Sequence, residues 1–506
     1  MRSGLLARQG LCLCLAALTL SGCWAVGPDY RRPDLDAPVT WSQDPTPGRA
    51  SGVFEDVAWW KAFGDPILDE LITRGLSGNL DIAQARARVR QARADVRTAR
   101  AGLFPAIDLT GTSTSSGGGS LPDGTSGGSS GAISGGTTSG EATSTVYTAG
   151  FDATWELDFF GGQRRSVEST KATLQADIEA VNDARLTLIG DVATNYVALR
   201  AYQEQLAIAR KTLETQRQNA DVTRERFRLG LINQVDVAQA EGQAASTAAD
   251  LPVLESDIKS SIHRLGILVG LPPETLYDLL ATPRNLPELP DKLLATGLPA
   301  ELLARRPDLR ASERKLAAAS AAIGVATADL YPKFDLTAGL GLQGITPAKV
   351  AGFSTWYWSV IPGLSWPVFD AGKAKAAVEK KKALYDEALA AYKATFHTAL
   401  EDVENALAGY FAQRAREHRL VASVAAYQEA LALDNERYAK GLTTFLTVLT
   451  DQASLYSVQT DLTKCRANVR TNLVSLYKAL GGGWNVNATA PATGGNSQPT
   501  GRRRPA

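Results

Sequence analysis

From residue 147 to 157 apolar and polar side chains alternate at every position. Tyr147, Ala149, Phe151, Ala153, Trp155 and Leu157 share one face, and Thr148, Gly150, Asp152, Thr154 and Glu156 share the other. The same period returns in Phe334, Leu336, Ala338, Leu340 and Leu342, and again in Trp358, Val360, Leu364, Trp366 and Val368. Alternation of this kind predicts strands with one apolar face. Strands of about ten residues with aromatics near their ends suit a transmembrane β-barrel, although a half-buried soluble sheet shares the pattern. Elsewhere the period is helical. Leu188, Val192, Asn195, Leu199, Tyr202, Leu206, Ala209 and Leu213 follow a 4-3-4-3 spacing, and Val403, Tyr410, Leu420, Val424, Tyr427 and Leu431 lie on a second such seam. Sustained spacing of 3.5 predicts coiled-coil packing. A helix from about Ser166 to Leu229 would be a rod of about 95 Å.

The two patterns belong to one duplicated unit: helix, β-hairpin, very long helix, returning helix. Leu103-Phe104-Pro105 and Ile107-Asp108-Leu109-Thr110 are answered by Leu330-Tyr331-Pro332 and Phe334-Asp335-Leu336-Thr337 at an offset of 227. Arg226 to Leu231 is answered by Arg437 to Leu442 at an offset of 211, so the difference of 16 residues falls inside the hairpin. The expected organisation is a signal segment 1–22, an extended arm 23–65, a first repeat 66–270, a proline-rich segment 271–300, a second repeat 301–484 and a tail 485–506. Asp65 and Pro66 predict the cap and first turn of a helix reaching about Gly102. Residues 111–145, of which 28 are Gly, Ser or Thr, read as a loop between the first two strands. Gly230 and Gly441 are placed to end the long rods, with Asn233 and Thr444 capping the return helices. Pro252 predicts a kink or break in the first return helix. Two hairpins supply four strands, too few for a closed barrel and with edges that lipid cannot satisfy, so identical chains must complete it.

Basic and acidic side chains balance at 53 each, without the basic stripe of a nucleic-acid binder. Arg2 and Arg8 precede the short apolar run Leu11 to Leu20, and Leu20-Ser21-Gly22-Cys23 completes the pattern of a bacterial lipoprotein processing site, with Cys23 as the acylated residue. Cys12 and Cys14 leave with the signal, and Cys465 reads as a small apolar helix residue. His263, His397 and His418 are scattered, and no phosphate loop, nucleophile elbow or paired carboxylates stand out. We therefore expect no catalysis, no metal and no cofactor.

Taken with Cys23, several ordered segments carry a resemblance. They are Val26-Gly27-Pro28-Asp29-Tyr30-Arg31-Arg32-Pro33, Trp59-Trp60-Lys61-Ala62-Phe63, Ala101-Gly102-Leu103-Phe104-Pro105, Arg305-Arg306-Pro307-Asp308-Leu309 and Leu476 to Trp484. Over residues 23–484 the chain resembles the outer-membrane factors, TolC-like exit ducts, in their OprM/NodT-type lipoprotein branch. The resemblance implies a homotrimer whose strands close a twelve-stranded barrel continued by an α-helical periplasmic tunnel. It also implies a periplasmic membrane-fusion adaptor and an inner-membrane efflux transporter as partners, and small molecules such as drugs as cargo. By position, Arg226, Gly230, Leu231, Arg437, Gly441 and Leu442 are the adaptor-contacting tips. The periplasmic gate falls at Tyr438, Phe445, Leu446, Thr447, Thr450 and Asp451. Thr447 and Thr450 stand where relatives carry acidic rings, which leaves Asp451 as the nearby carboxylate. A protein-secretion duct, or a structural lipoprotein without a pore, are the competing readings.

Overall fold

The computed structural model describes residues 25–36, 38, 41–42, 58–118, 142–289, 305–353 and 355–482. Cys23, the signal segment and the tail 485–506 lie outside the described residues, as do 119–141 and 290–304. The chain divides into a sheet-bearing unit (residues up to 32, 91–174 and 315–388) and a helical unit (33–90, 175–314 and 389 onward).

In the sheet-bearing unit, β1 (Ala106–Gly118), β2 (Ala142–Leu157), β3 (Lys333–Gly344) and β4 (Trp356–Ser365) form one antiparallel sheet in the order β1-β2-β3-β4. Leu109, Phe151, Leu340 and Trp358 make one cross-strand row, and Asp108, Asp152, Gly339 and Ser359 make the next. Every member of the apolar row is more than half exposed. Because side chains alternate across a strand, the whole apolar set shares that face. The opposite face is polar, with Thr110 Oγ1 donating to Asp152 Oδ2 at 2.5 Å. The segment expected to be loop from 111 to 145 is partly strand, since β1 continues to Gly118 and β2 begins at Ala142. Its hydroxyls pair across the strands, Thr112 with Thr148 at 2.6 Å and Ser115 with Thr145 at 2.9 Å. Composition alone hid this, because such cross-strand pairing stabilises a sheet without apolar burial.

The duplication is visible in hydrogen bonds. Trp155 Nε1 donates to the Leu103 carbonyl at 3.1 Å, and Trp366 Nε1 donates to the Leu330 carbonyl at 3.2 Å. Each indole ties a strand end to the turn before its hairpin. It also matches in helix length. The long helices α3 (Gly162–Arg228) and α6 (Lys373–Ala439) have 67 residues each, the return helices α4 (Gln234–Leu268) and α7 (Phe445–Ala479) have 35 each, and α5 (Pro307–Ala328), before the second hairpin, has 22.

In the helical unit, Asp65 Oδ1 accepts from Ile67 N at 2.9 Å and starts α1 (Pro66–Gly78). The single helix expected from Pro66 to Gly102 is two, because Asn79 leaves helical geometry with ψ 132° and α2 (Leu80–Ala101) starts anew. Asn79 Oδ1 accepts from Ile82 N at 3.0 Å while Nδ2 donates to the Leu268 carbonyl at 2.9 Å, so one buried amide caps a helix and bonds α4. The arm is not wholly extended either. Trp59–Phe63 form a 3₁₀ turn, with Trp59 fully buried and stacked on Tyr477 at 4.8 Å. The proline-rich segment contains short helical turns at Pro273–Leu276 and Tyr277–Leu280. Pro252 does not break α4, which runs on through it. Around the core, Leu188, Val192, Leu199, Val403 and Tyr410 of the predicted seams are buried, whereas Leu420, Val424, Tyr427 and Leu431 are half-buried. Among the described residues no helix is long and apolar enough to cross a membrane.

Candidate functional site: the helical tips

Both helical hairpins of this unit turn on a left-handed glycine. Gly230 has φ 68° and Gly441 has φ 72°. At the first tip, Leu231 N donates to the Arg226 carbonyl at 3.0 Å and Gly230 N to the Phe227 carbonyl at 2.9 Å; the second repeats this from Leu442 N to Arg437 and from Gly441 N to Tyr438. This is the Schellman closure that satisfies the last carbonyls of a helix. A Cβ at either glycine would meet nothing within 4 Å, so the requirement is purely conformational. Asn233 caps α4 by accepting from Asp236 N at 3.1 Å. Thr444 occupies the equivalent position, but its side chain does not cap α7. Its hydroxyl lies 3.3 Å from that of Thr447, which also accepts from Thr443 at 3.2 Å.

Behind the tips a small core joins the two hairpins. Phe445, Val448 and Leu449 are buried with Ala220 and Ala240, and Tyr438 and Leu431 pack against them. Tyr438 and Phe445 have ring centroids 5.4 Å apart, and the Arg226 guanidinium lies over the Tyr438 ring at 4.7 Å. The repeat-equivalent of Arg226 behaves differently: Arg437 Nη1 pairs with Asp434 Oδ1 at 3.3 Å. Of the predicted gate residues, the structure brings Tyr438 and Phe445 together. Leu446 is exposed, and the Thr450 hydroxyl is turned back onto the Leu446 carbonyl at 2.9 Å. Of the predicted tip residues, Leu231 and Leu442 are exposed on the turns with Leu229 beside them.

Asp451 is not the lone nearby carboxylate that the sequence suggested. Burial pushes its carboxyl above the usual range, and Asp434 beside it adds to the shift. Its Oδ2 is buried without a hydrogen-bond partner. One helical turn separates Asp434 from Tyr438, and α6 has to pack against α7 before Asp434 can meet Asp451. No spacing in the sequence could have signalled that pair. Cys465, expected as an apolar helix residue, is fully buried, and its Sγ lies 3.3 Å from the Gln413 carbonyl.

With this geometry established, the family model described as "Outer membrane efflux protein" matches residues 71–271 and 298–482. The chain belongs to the outer membrane efflux protein family. Members it resembles include Nodulation protein T of Rhizobium leguminosarum bv. trifolii, 33% identical with 94% of this chain and 97% of the relative covered. The pyoverdine export outer membrane protein OpmQ of Pseudomonas putida is 35% identical, covering 94% of this chain and 98% of the relative. Among solved structures, the outer-membrane channel OprN superposes with a TM-score of 0.83 at 35% identity, covering 91% of this chain and 99% of that chain. Such a match across nearly the whole length places the helix-and-sheet duplication in this family of outer-membrane channels.

Proposed function

We propose that this protein is the passive outer-membrane exit duct of a tripartite efflux system, a homotrimer carrying small molecules delivered by an inner-membrane transporter and a periplasmic membrane-fusion adaptor. The observation that carries the reading is a four-stranded sheet, apolar on one face and open along β1 and β4, in a chain that also holds two helical hairpins built on 67-residue helices. Lipid cannot satisfy open strand edges, so three copies would close twelve strands into a barrel. The half-buried seam of α6 would be covered in the same assembly. A pyoverdine-exporting relative supports a small-molecule cargo.

On this reading the repeats at 66–270 and 301–484 each give one hairpin to the barrel and one to a periplasmic tunnel. Cys23, acylated, adds a lipid anchor after removal of residues 1–22. The exposed turns carrying Gly230, Leu231, Gly441 and Leu442, with Arg226 and Arg437 behind them, take the adaptor. Closure rests on Tyr438 and Phe445 packed under Arg226, with Leu446, Thr447, Thr450 and Asp451 lining the approach. Planar-bilayer recordings of the purified trimer test this. Wild type should give discrete openings, and Phe445→Ala, which empties the tip core, should raise single-channel conductance several-fold. Folded trimers that stay silent in both forms would remove the duct from consideration.

A further inference from the structure

Within one chain, the sheet-bearing unit shows how the second repeat sits against the first. β2 pairs with β3, with Trp155 opposite Leu336 and Leu157 opposite Phe334. Beside them α5 packs on the start of α3. The Ser169 hydroxyl donates to the Ala318 carbonyl at 2.9 Å, and Ala317, Ala318, Ser320, Ala321 and Gly324 are buried. Gly324 is the point of closest approach. A Cβ there would lie 2.7 Å from Arg165 Cγ and 3.0 Å from its Cδ, so only glycine leaves room for that arginine. Arg165, almost fully buried, donates from Nη1 to Glu168 Oε2 at 2.8 Å and from Nε to the Val26 carbonyl at 3.2 Å.

The equivalent surfaces at the two free edges of the unit have exchanged their residues. At the offset of 227, Ser320, Gly324 and Thr327 of α5 correspond to Arg93, Arg97 and Arg100 of α2. At the offset of 211, Arg165 and Glu168 of α3 correspond to Ala376 and Glu379 of α6. Spacings of four and three keep the three arginines on one helix face, and all three are exposed where their counterparts Ser320 and Gly324 are buried. Among the described residues neither these arginines nor Glu379 has an ion-pair partner. Large meets small in both cases, but the large residue has changed sides. Glu168 keeps its counterpart in Glu379, while the arginine that holds it does not. Glu379 is also the only acidic residue from Ala371 to Tyr385, a stretch with five lysines.

We infer that a second copy of this chain docks on these edges in the register of the β2–β3 junction, and that Arg97 of one subunit takes the place Arg165 fills within a chain, its stem on Ala376 of the partner subunit and its guanidinium on Glu379 of the partner subunit. The strands support the same seat independently. Carried through the two offsets, the β2–β3 register sets Trp366 of the partner subunit opposite Leu109 and Val368 of the partner subunit opposite Ile107. All four side chains are apolar and exposed. A slip of one residue would set the same apolar pair of β4 against Asp108 and Thr110. The existence of a partner rests on the trimeric reading above; the seat adds which surfaces meet and in what register. It also fixes their order. Joining α2 to α2 sets arginines against arginines, and joining α6 to α6 sets lysines against lysines, so only α2 against α6 brings opposite charges together. Contacts of this head-to-tail kind add copies until the ring closes.

The test uses the full-length chain in mild detergent. With Arg97→Cys and Ala376→Cys in one chain, mild oxidation should give disulfide-linked species of up to three chains on a denaturing gel. Either cysteine alone should stay unlinked, as should Arg97→Cys with Lys382→Cys, about 9 Å further along α6. Charge reversal reads the ion pair. Arg97→Glu and Glu379→Arg, both on exposed positions, should each speed dissociation of the trimer in sodium dodecyl sulfate about five-fold, and together should restore the wild-type rate. A wild type that sediments as a monomer would sink the trimeric reading and the seat with it. A stable wild-type trimer that does not link 97 to 376, or in which the double reversal is no better than the single ones, would overturn the seat alone.

Discussion

At the residue scale, the positions that fix backbone direction are glycines, and they recur in pairs. Gly161 and Gly372, Gly230 and Gly441, and Gly270 and Gly481 each stand 211 apart, and all six have positive φ. A left-handed turn is needed where a long helix starts, where it ends, and where the return helix stops; of the six, Gly230 and Gly441 were read from the sequence and the structure supplied the other four. Asp451 could not. Its carboxyl is held above the ordinary range by burial first and by Asp434 second, so the folded tip prefers it protonated. That preference contributes stability in full below the ordinary carboxylate value of about 4 and loses it as pH rises through the raised value. At neutral pH the charge weakens the tip. Asp451→Asn should therefore slow amide hydrogen exchange at Gly441 and Leu442 at neutral pH and flatten its pH dependence, after correction for intrinsic rates. Faster exchange in the variant would show that the carboxylate is stabilising and that its surroundings are misjudged.

At the element scale, periodicity predicted each long helix and three of the four strands, and the repeat implied β1 only through Thr110, while other corrections fall where one side chain or one local bond decides. Asn79 splits the first helix because its amide finds a donor in α2 and an acceptor in α4 at once. Pro252 removes a backbone donor, yet α4 continues through it, with Pro252 itself exposed. Pro costs about 3 kcal/mol relative to Ala inside a helix, which sets the upper limit of the gain. Pro252→Ala should raise the thermal midpoint of the helical circular dichroism signal. A lowered midpoint would mean that the proline maintains a bend on which packing depends.

At the scale of the whole molecule, one chain leaves three kinds of surface unfinished: the edges at β1 and β4, the apolar face of the sheet, and the half-buried seam of α6. On the proposed reading, further copies would answer the first and third and lipid the second. Chemical cross-linking in mild detergent should accordingly yield a ladder that stops at three chains. A well-folded monomer in which β1 and β4 amides are protected from exchange would contradict the closure argument.

What the sequence determined by itself was everything carried by repetition and period. The duplicated unit, the strand faces, the coiled-coil seams and the glycine turns follow from local rules that each copy obeys. Membership of the outer membrane efflux family was legible too, because its motifs are short and ordered. The tertiary structure decided which equivalent positions behave differently. Arg226 lies over Tyr438 while Arg437 holds Asp434, and Arg165 grips the N-terminal arm where Ala376 grips nothing. Arg437 and Asp434 are neighbours on one helix, but the contacts of Arg226 and Arg165 reach residues more than a hundred positions away, and such pairings leave no mark in a local pattern.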